Sequence, residues 1–229
     1  IISTQLIAGS KTESVFQSQW SPAGELFFVS DRSNWWNIYR YSNSGTEIVC
    51  DMPAEFATPQ WVFGMSTYGF LNDQEIFCCF SQHGQWQLGL IDIHSKTLHI
   101  IPSEFKDIAG IHCNNEQGYF FAASATKSNT LYSFHQNVIK PLLTTGSNTL
   151  TQDDIAQPQA ITFSTSDNEI AHGFFYPPKS KLITATENTL PPLIVMCHGG
   201  PTGATETSLN LKIQFWTSRG FAVLDVNYR

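Results

Sequence analysis

The sequence predicts a mixed fold: a partial β-propeller of about three blades, followed by the opening of an α/β domain. Three observations predict it. A turn, strand, polar turn and strand recur at blade-like spacing through residues 1–150, a polar stretch follows, and Leu190 to Arg229 shows strand, glycine-rich turn, helix and strand.

The repeat is clearest in Trp20-Ser21-Pro22-Ala23-Gly24, a turn leading into Leu26-Phe27-Phe28-Val29-Ser30, then polar Asp31-Arg32-Ser33 and the alternating strand Asn37-Ile38-Tyr39-Arg40-Tyr41. It returns in Gln60-Trp61, Glu75 to Phe80 and Gln87 to Ile91, and again in Gly118 to Ala123 with Thr130 to Phe134. Taking Ile38, Leu88 and Leu131 as equivalent, the spacings are 50 and 43 residues, within the ~40–50 of a propeller blade. Each blade buries its faces only against neighbouring blades, so three do not close a ring. Ile1 to Ala8 is expected to be the outer strand of a fourth.

Thr144 to Gln157 is polar, with Gly146 and two aspartates, and is expected to be a linker. Gln159 to Phe163 and Ile170 to Tyr176 flank Ser166-Asp167-Asn168, which predicts a β-hairpin that Pro177-Pro178 ends. A polar surface loop to Thr189 comes next. Leu193-Ile194-Val195-Met196-Cys197 is an unbroken apolar run, predicted as a parallel strand buried on both faces. A helix is expected over Gly203 to Arg219, with Leu209, Ile213 and Trp216 on its packed side and Gly220 at its C′ position. Phe221 to Val226 is the second strand of this βαβ unit, whose first loop lies at the carboxyl edge of the sheet, where ligands gather.

That loop is His198-Gly199-Gly200-Pro201-Thr202. Adjacent glycines let the backbone approach a ligand and point amide N–H groups outward, where they stabilise an anion. Gly-Gly-Pro alone would equally serve as a tight turn. His-Gly-Gly after a strand and before a helix is, however, the oxyanion-hole arrangement of an α/β-hydrolase.

Composition narrows the function. With 41% hydrophobic and 13% aromatic residues the chain has ample material for a core. A formal charge of −7, with twelve Lys and Arg spread along the chain, argues against a nucleic-acid partner. Five cysteines without a Cys-x-x-Cys pair, mostly in apolar runs, fit reduced buried thiols and a cytoplasmic location. No apolar run approaches the ~20 residues that cross a bilayer, so no membrane partner is expected. The chain begins Ile1-Ile2-Ser3 and not with Met, so the lack of a leader says little about location.

Pro192 to Thr202, followed by Phe215 to Arg229, resembles the opening of the catalytic domain in the prolyl oligopeptidase family of serine peptidases. The acylaminoacyl-peptidase-like branch, with His-Gly-Gly-Pro at this place, is the most similar. The Ser-Pro-x-Gly turn and Phe28-Val29-Ser30-Asp31-Arg32-Ser33 resemble the propeller repeats of TolB-like proteins and of the amino-terminal half of the same family. In the family Asn-Tyr-Arg precedes a Gly-Ser-rich loop, a Gly-x-Ser-x-Gly elbow, and later Asp and His, whereas this chain stops at Arg229.

The resemblance implies the C-terminal blades of a propeller at 1–150 and the N-terminal portion of an α/β-hydrolase peptidase domain at 151–229, truncated before the nucleophile elbow. It implies that the 159–176 hairpin supplies the first two hydrolase strands, that Gly200, or less favourably Gly199, gives an oxyanion donor, and that His198 and Pro201 structure the loop. It implies a parent that hydrolyses short peptides, N-acylated ones included, by acyl transfer. The family's catalytic Ser, Asp and His are not in this chain, so none of its residues is catalytic and it is expected to be inactive alone. No cofactor is expected.

The remaining candidates are weak. His83, His94, His99, His112 and His135 match no metal-ligand spacing, so no metal is expected. Gly64-Met65-Ser66-Thr67-Tyr68 lacks the second glycine of an elbow and sits within the repeats. The paired glutamates with which dipeptidyl peptidases of the family hold a substrate's amino terminus are absent here, which decides nothing about earlier blades. Two rivals stay open: a TolB-like propeller binding protein with an incidental turn, and an α/β-hydrolase esterase. Unpaired blade faces and a strand edge predict self-association of the isolated chain, and a homo-oligomeric parent stays open.

Overall fold

Sixteen strands in four four-stranded sheets, with one α-helix, make up the computed structural model among its described residues, which are 2–114, 116–144, 146, 150–182, 186, 189–200 and 202–227. The chain packs as two units, Ile1–Ala122 with Thr130–Leu143, and Ala123–Asn129 with Thr144–Arg229.

In the first unit three sheets follow one another, each with its strands in sequence order: β1 (Val15–Trp20) to β4 (Gly45–Ile48), with β2 (Leu26–Ser30) and β3 (Asn37–Ser42) between; β5 (Tyr68–Phe70), β6 (Glu75–Gln82), β7 (Gln85–Asp92) and β8 (Thr97–Ile101); and β9 (Asp107–Asn114), β10 (Gln117–Ala123), β11 (Thr130–His135) and β12 (Val138–Thr144). This is the propeller-like repeat that the spacing predicts. Ile38, Leu88 and Leu131 all fall in the third strand of their sheet. Residues 2–8 form no strand, contrary to expectation: Ile2 and Leu6 are exposed, so these side chains find no sheet to join.

The middle sheet explains why Ile76 to Phe80 is apolar without alternation. Side chains alternate across a strand, so a sheet covered on both faces needs apolar residues at every position. Ile76, Cys78 and Phe80 pack with Phe27, Val29 and Ile38 of the first sheet. Phe77 and Cys79 pack on the other side with Ile108, Ile111, Phe120 and Phe134 of the third. All five cysteines are free, and burial pushes the Cys50 thiol up to about 11 and that of Cys113 to about 12, so neither ionises near neutrality.

Local chemistry sets the turns and links. Gly24, at φ 80°, closes the β1–β2 turn through its N–H to Ser21 O at 2.9 Å, while the Ser21 hydroxyl accepts from Glu25 N. A bulge at Gln17 aims its side chain at the next sheet, where it accepts from Thr67 N and donates to Tyr68 O, both at 2.7 Å. Glu13 accepts from Ser30 Oγ and Arg32 Nε at 2.6 and 2.8 Å. Burial alone would raise the Glu13 carboxyl, but these bonds and the Arg32 charge outweigh it and hold the group below its ordinary value. A carboxyl held low in the folded state contributes stability that is complete above its unfolded pKa and is lost as pH falls through the folded one. Urea unfolding at steps between about pH 6 and about pH 3 is therefore expected to show an acid-side loss of stability that is smaller in Glu13→Gln.

The second unit carries one sheet, in the order β13 (Gln159–Ser164), β14 (Ile170–Tyr176), β16 (Ala222–Asn227), β15 (Leu193–Cys197). β13, β14 and β16 are antiparallel, and β15 runs parallel to β16. The predicted hairpin is present, closed by a 3-10 turn over Ser166–Asn168. The expected linker is only partly one: Ile155 and Ala156 are buried, and Ala156 exchanges two hydrogen bonds with the Gln214 side chain, 2.8 Å from its N–H and 3.1 Å to its carbonyl. Residues 145 and 147–149 of that stretch lie outside the described residues. No described helix is long and apolar enough to cross a membrane.

Candidate functional site

The site is built on β15 and the loop behind it. β15 pairs with β16 from Leu193 opposite Ala222 to Cys197 opposite Val226, so His198 and the two glycines leave the carboxyl edge of two parallel strands. Burial along β15 alternates, which corrects the expectation of a strand buried on both faces. Ile194 and Met196 turn toward Tyr176, Ile213 and Val223, while Leu193 and Val195 are 52% and 57% exposed. An apolar run has no periodicity to report this difference.

The crossover helix α1 spans Leu211–Thr217, much shorter than the predicted 203–219. Asn210 sets its start, because its side-chain oxygen accepts from Lys212 N at 3.0 Å and Ile213 N at 3.4 Å. Leu209 thus precedes the helix and donates its N–H to Ser124 O at 2.8 Å. The other end matches the prediction. Gly220 has φ 88°, its N–H bonds Thr217 O, and Phe221 N–H bonds Trp216 O, the two closures of a Schellman motif with an edge-on Trp216–Phe221 contact.

Between strand and helix, His198, Gly199 and Gly200 lie together at the sheet edge. Gly200 has φ 70°, a conformation that side chains disfavour. Gly199 differs: apart from its chain neighbours, no atom of the described residues lies within 4 Å of where a Cβ would stand. Packing among the described residues therefore does not require glycine at 199. His198 is half-buried, with Nδ1 at 3.4 Å from Gly199 O, a contact local to the turn. Pro201 lies outside the described residues.

Other candidates fall elsewhere. Ser66 is buried in the loop before β5, with no helix after it, so it is not on an elbow. His83 and His94 are in turns of the middle sheet and His99 is on β8, while His112 and His135 are on β9 and β11. Sequence reasoning missed Asp225 and Thr205. Asp225 is 8% exposed and accepts a hydrogen bond from the Thr205 hydroxyl, while Asn227 Oδ1 accepts from Thr205 N–H at 3.4 Å. A lone acid inside the apolar run Phe221 to Val226 was the available sign.

No protein-family model matches the chain, and no curated protein matches it. Solved structures do. A puromycin hydrolase is 29% identical over 99% of this chain and 35% of its own, with a TM-score of 0.91. A structure from a study of two prolyl endopeptidases is 10% identical, covering 98% of this chain and 32% of its own, with a TM-score of 0.75. The acylaminoacyl peptidase of Pyrococcus horikoshii is 19% identical, covering 93% and 32%, with a TM-score of 0.65. The last two likenesses are of fold alone. The chain spans about a third of the length of each of these structures.

Proposed function

From the premise that the chain belongs to the prolyl oligopeptidase family of serine peptidases, we propose that it is the part of such a peptidase that supplies propeller blades and the oxyanion loop. In this reading residues 1–150 are C-terminal blades, and residues 151–229 open an α/β-hydrolase domain. A hairpin followed by a parallel strand, loop, helix and strand supports the second assignment.

The observation that carries the function is the glycine pair at the carboxyl end of β15. Gly200 stands in a left-handed conformation and Gly199 faces space left open by the described residues, which suits a backbone that a substrate carbonyl approaches. A serine hydroxyl outside this chain adds to that carbonyl carbon as its proton passes to a base. The carbonyl oxygen becomes an oxyanion, which accepts from the N–H of Gly200, with Gly199 the lesser candidate. Collapse expels the amine, which takes up the proton, and water then releases the acyl group. His198 and Pro201 shape the turn. This chain supplies no nucleophile, base or orienting acid to that scheme and by itself is inactive.

Short peptides, N-acylated ones included, are the proposed substrates. The likeness to a puromycin hydrolase favours adding puromycin to the panel. The test takes the full-length protein that contains this chain, labels it with a fluorophosphonate, and assays N-acyl and free peptide anilides, puromycin and acyl esters. One-to-one labelling with amide cleavage is expected. Cleavage of esters alone moves the assignment to an esterase, and neither labelling nor turnover overturns the enzymatic reading in favour of a binding propeller.

A further inference from the structure

We propose that Asp225 is a positioning residue for the oxyanion loop: by holding the Thr205 hydroxyl it fixes the chain that leads away from Gly199 and Gly200. The inference rests on the peptidase reading above, and it assigns a role to a residue outside the glycine turn. Three observations carry it.

The first is the burial of an acid where none is needed for packing. Asp225 pairs in register with Met196 on one side and Phe174 on the other, both packed in the apolar cluster of Tyr176, Ile213 and Val223. An apolar residue would fill that place without the desolvation that a carboxylate suffers there. The second is what the acid touches. It accepts a hydrogen bond from Thr205, in residues 202–209 before the Asn210 cap, which have no helix or strand of their own. Such a stretch has many conformations to lose, and a bond from a buried charge is among the strongest ways to select one. The third is a second tie at the same residue, the Thr205 N–H to Asn227 Oδ1, which fastens its main chain to the end of β16. Side chain and backbone of Thr205 are thus both held by the strand that lies beside β15.

An oxyanion donor works only when its N–H points to where the charge develops, and a displacement of about 1 Å can cost about 100-fold in rate. Freeing Thr205 is therefore expected to act on the chemical step more than on binding. The variants are Thr205→Val, which removes the hydroxyl at constant shape, Thr205→Ser, which restores it, and Asp225→Asn, which removes the charge at constant size. They are made in the full-length protein and assayed on an N-acyl peptide anilide, with amide hydrogen exchange followed over 198–205 and over β14 and β16.

Thr205→Val and Asp225→Asn are expected to lower kcat about tenfold with KM within about twofold, and to speed exchange in 198–205 about tenfold while the strands keep their protection. Thr205→Ser should stay within about twofold of wild type in both. Unchanged kcat and unchanged loop exchange in Thr205→Val overturn the proposal. So does loss of protection across the whole sheet with kcat intact in the folded fraction, which marks a purely structural bond. If Thr205→Val does not fold, Asp225→Asn decides by the same criteria. A wild type without turnover sinks the peptidase reading instead, and loop exchange still tells whether Asp225 holds the segment.

Discussion

Gly199→Ala in the full-length protein is expected to leave stability unchanged and to reduce kcat about 100-fold. The first half follows from geometry: apart from its chain neighbours, a Cβ at 199 meets no atom of the described residues within 4 Å, and the residue does not adopt the left-handed conformation of Gly200. The second half follows from the proposed chemistry, since the new methyl enters the space that the carbonyl must occupy to reach the amides. Denaturant unfolding and steady-state kinetics on an N-acyl peptide anilide check both. Gly173→Ala is the matching control. Its Cβ would stand 2.9 Å from the backbone oxygen of Asp225, so it should destabilise the sheet. If Gly199→Ala keeps full activity, the amides do not face the reacting carbonyl.

Phe77→Ala is expected to be the most destabilising single truncation in the first unit, at about 3–5 kcal/mol. Phe77 is fully buried, stacks on Phe134 with ring centroids 4.7 Å apart, and meets Phe120 at 5.6 Å. Its ring is also the reason for glycine at 118, where a Cβ would come within 2.6 Å of it. Truncating Phe77 leaves a cavity between two sheets that strand pairing keeps from collapsing. Equilibrium urea unfolding gives the magnitude. Gly118→Ala should be costly alone and much less so beside Phe77→Ala, because the clash disappears with the ring. Additive losses would show that the two sites do not meet.

The sequence revealed the repeats because their inner strands are strongly apolar and follow turns with a mechanism, as in Ser21 to Gly24. It was poorer at strands whose burial is partial. β12 is largely exposed and holds Pro141, which suits an edge strand but carries little pattern. Leu209 continues the spacing of Ile213 and Trp216, so the pattern predicts too long a helix, whereas Asn210 sets the helix start by occupying its first amides. At the site, the glycine turn and the C′ glycine were visible as local chemistry. The Thr205–Asp225 bond was not, because it joins residues twenty positions apart and only the folded sheet brings them together.

The two-sided packing of β6 also has a consequence for how the polypeptide is made. As it leaves the ribosome, the β1–β4 sheet is already complete and can receive Ile76, Cys78 and Phe80 at once. The cover of Phe77 and Cys79 begins with Ile108 and Ile111 of β9 and is complete only once β10 and β11 have been translated. In that interval a sticky, strand-forming surface is presented to solvent, and it is there that a nascent chain of this kind would call on a chaperone.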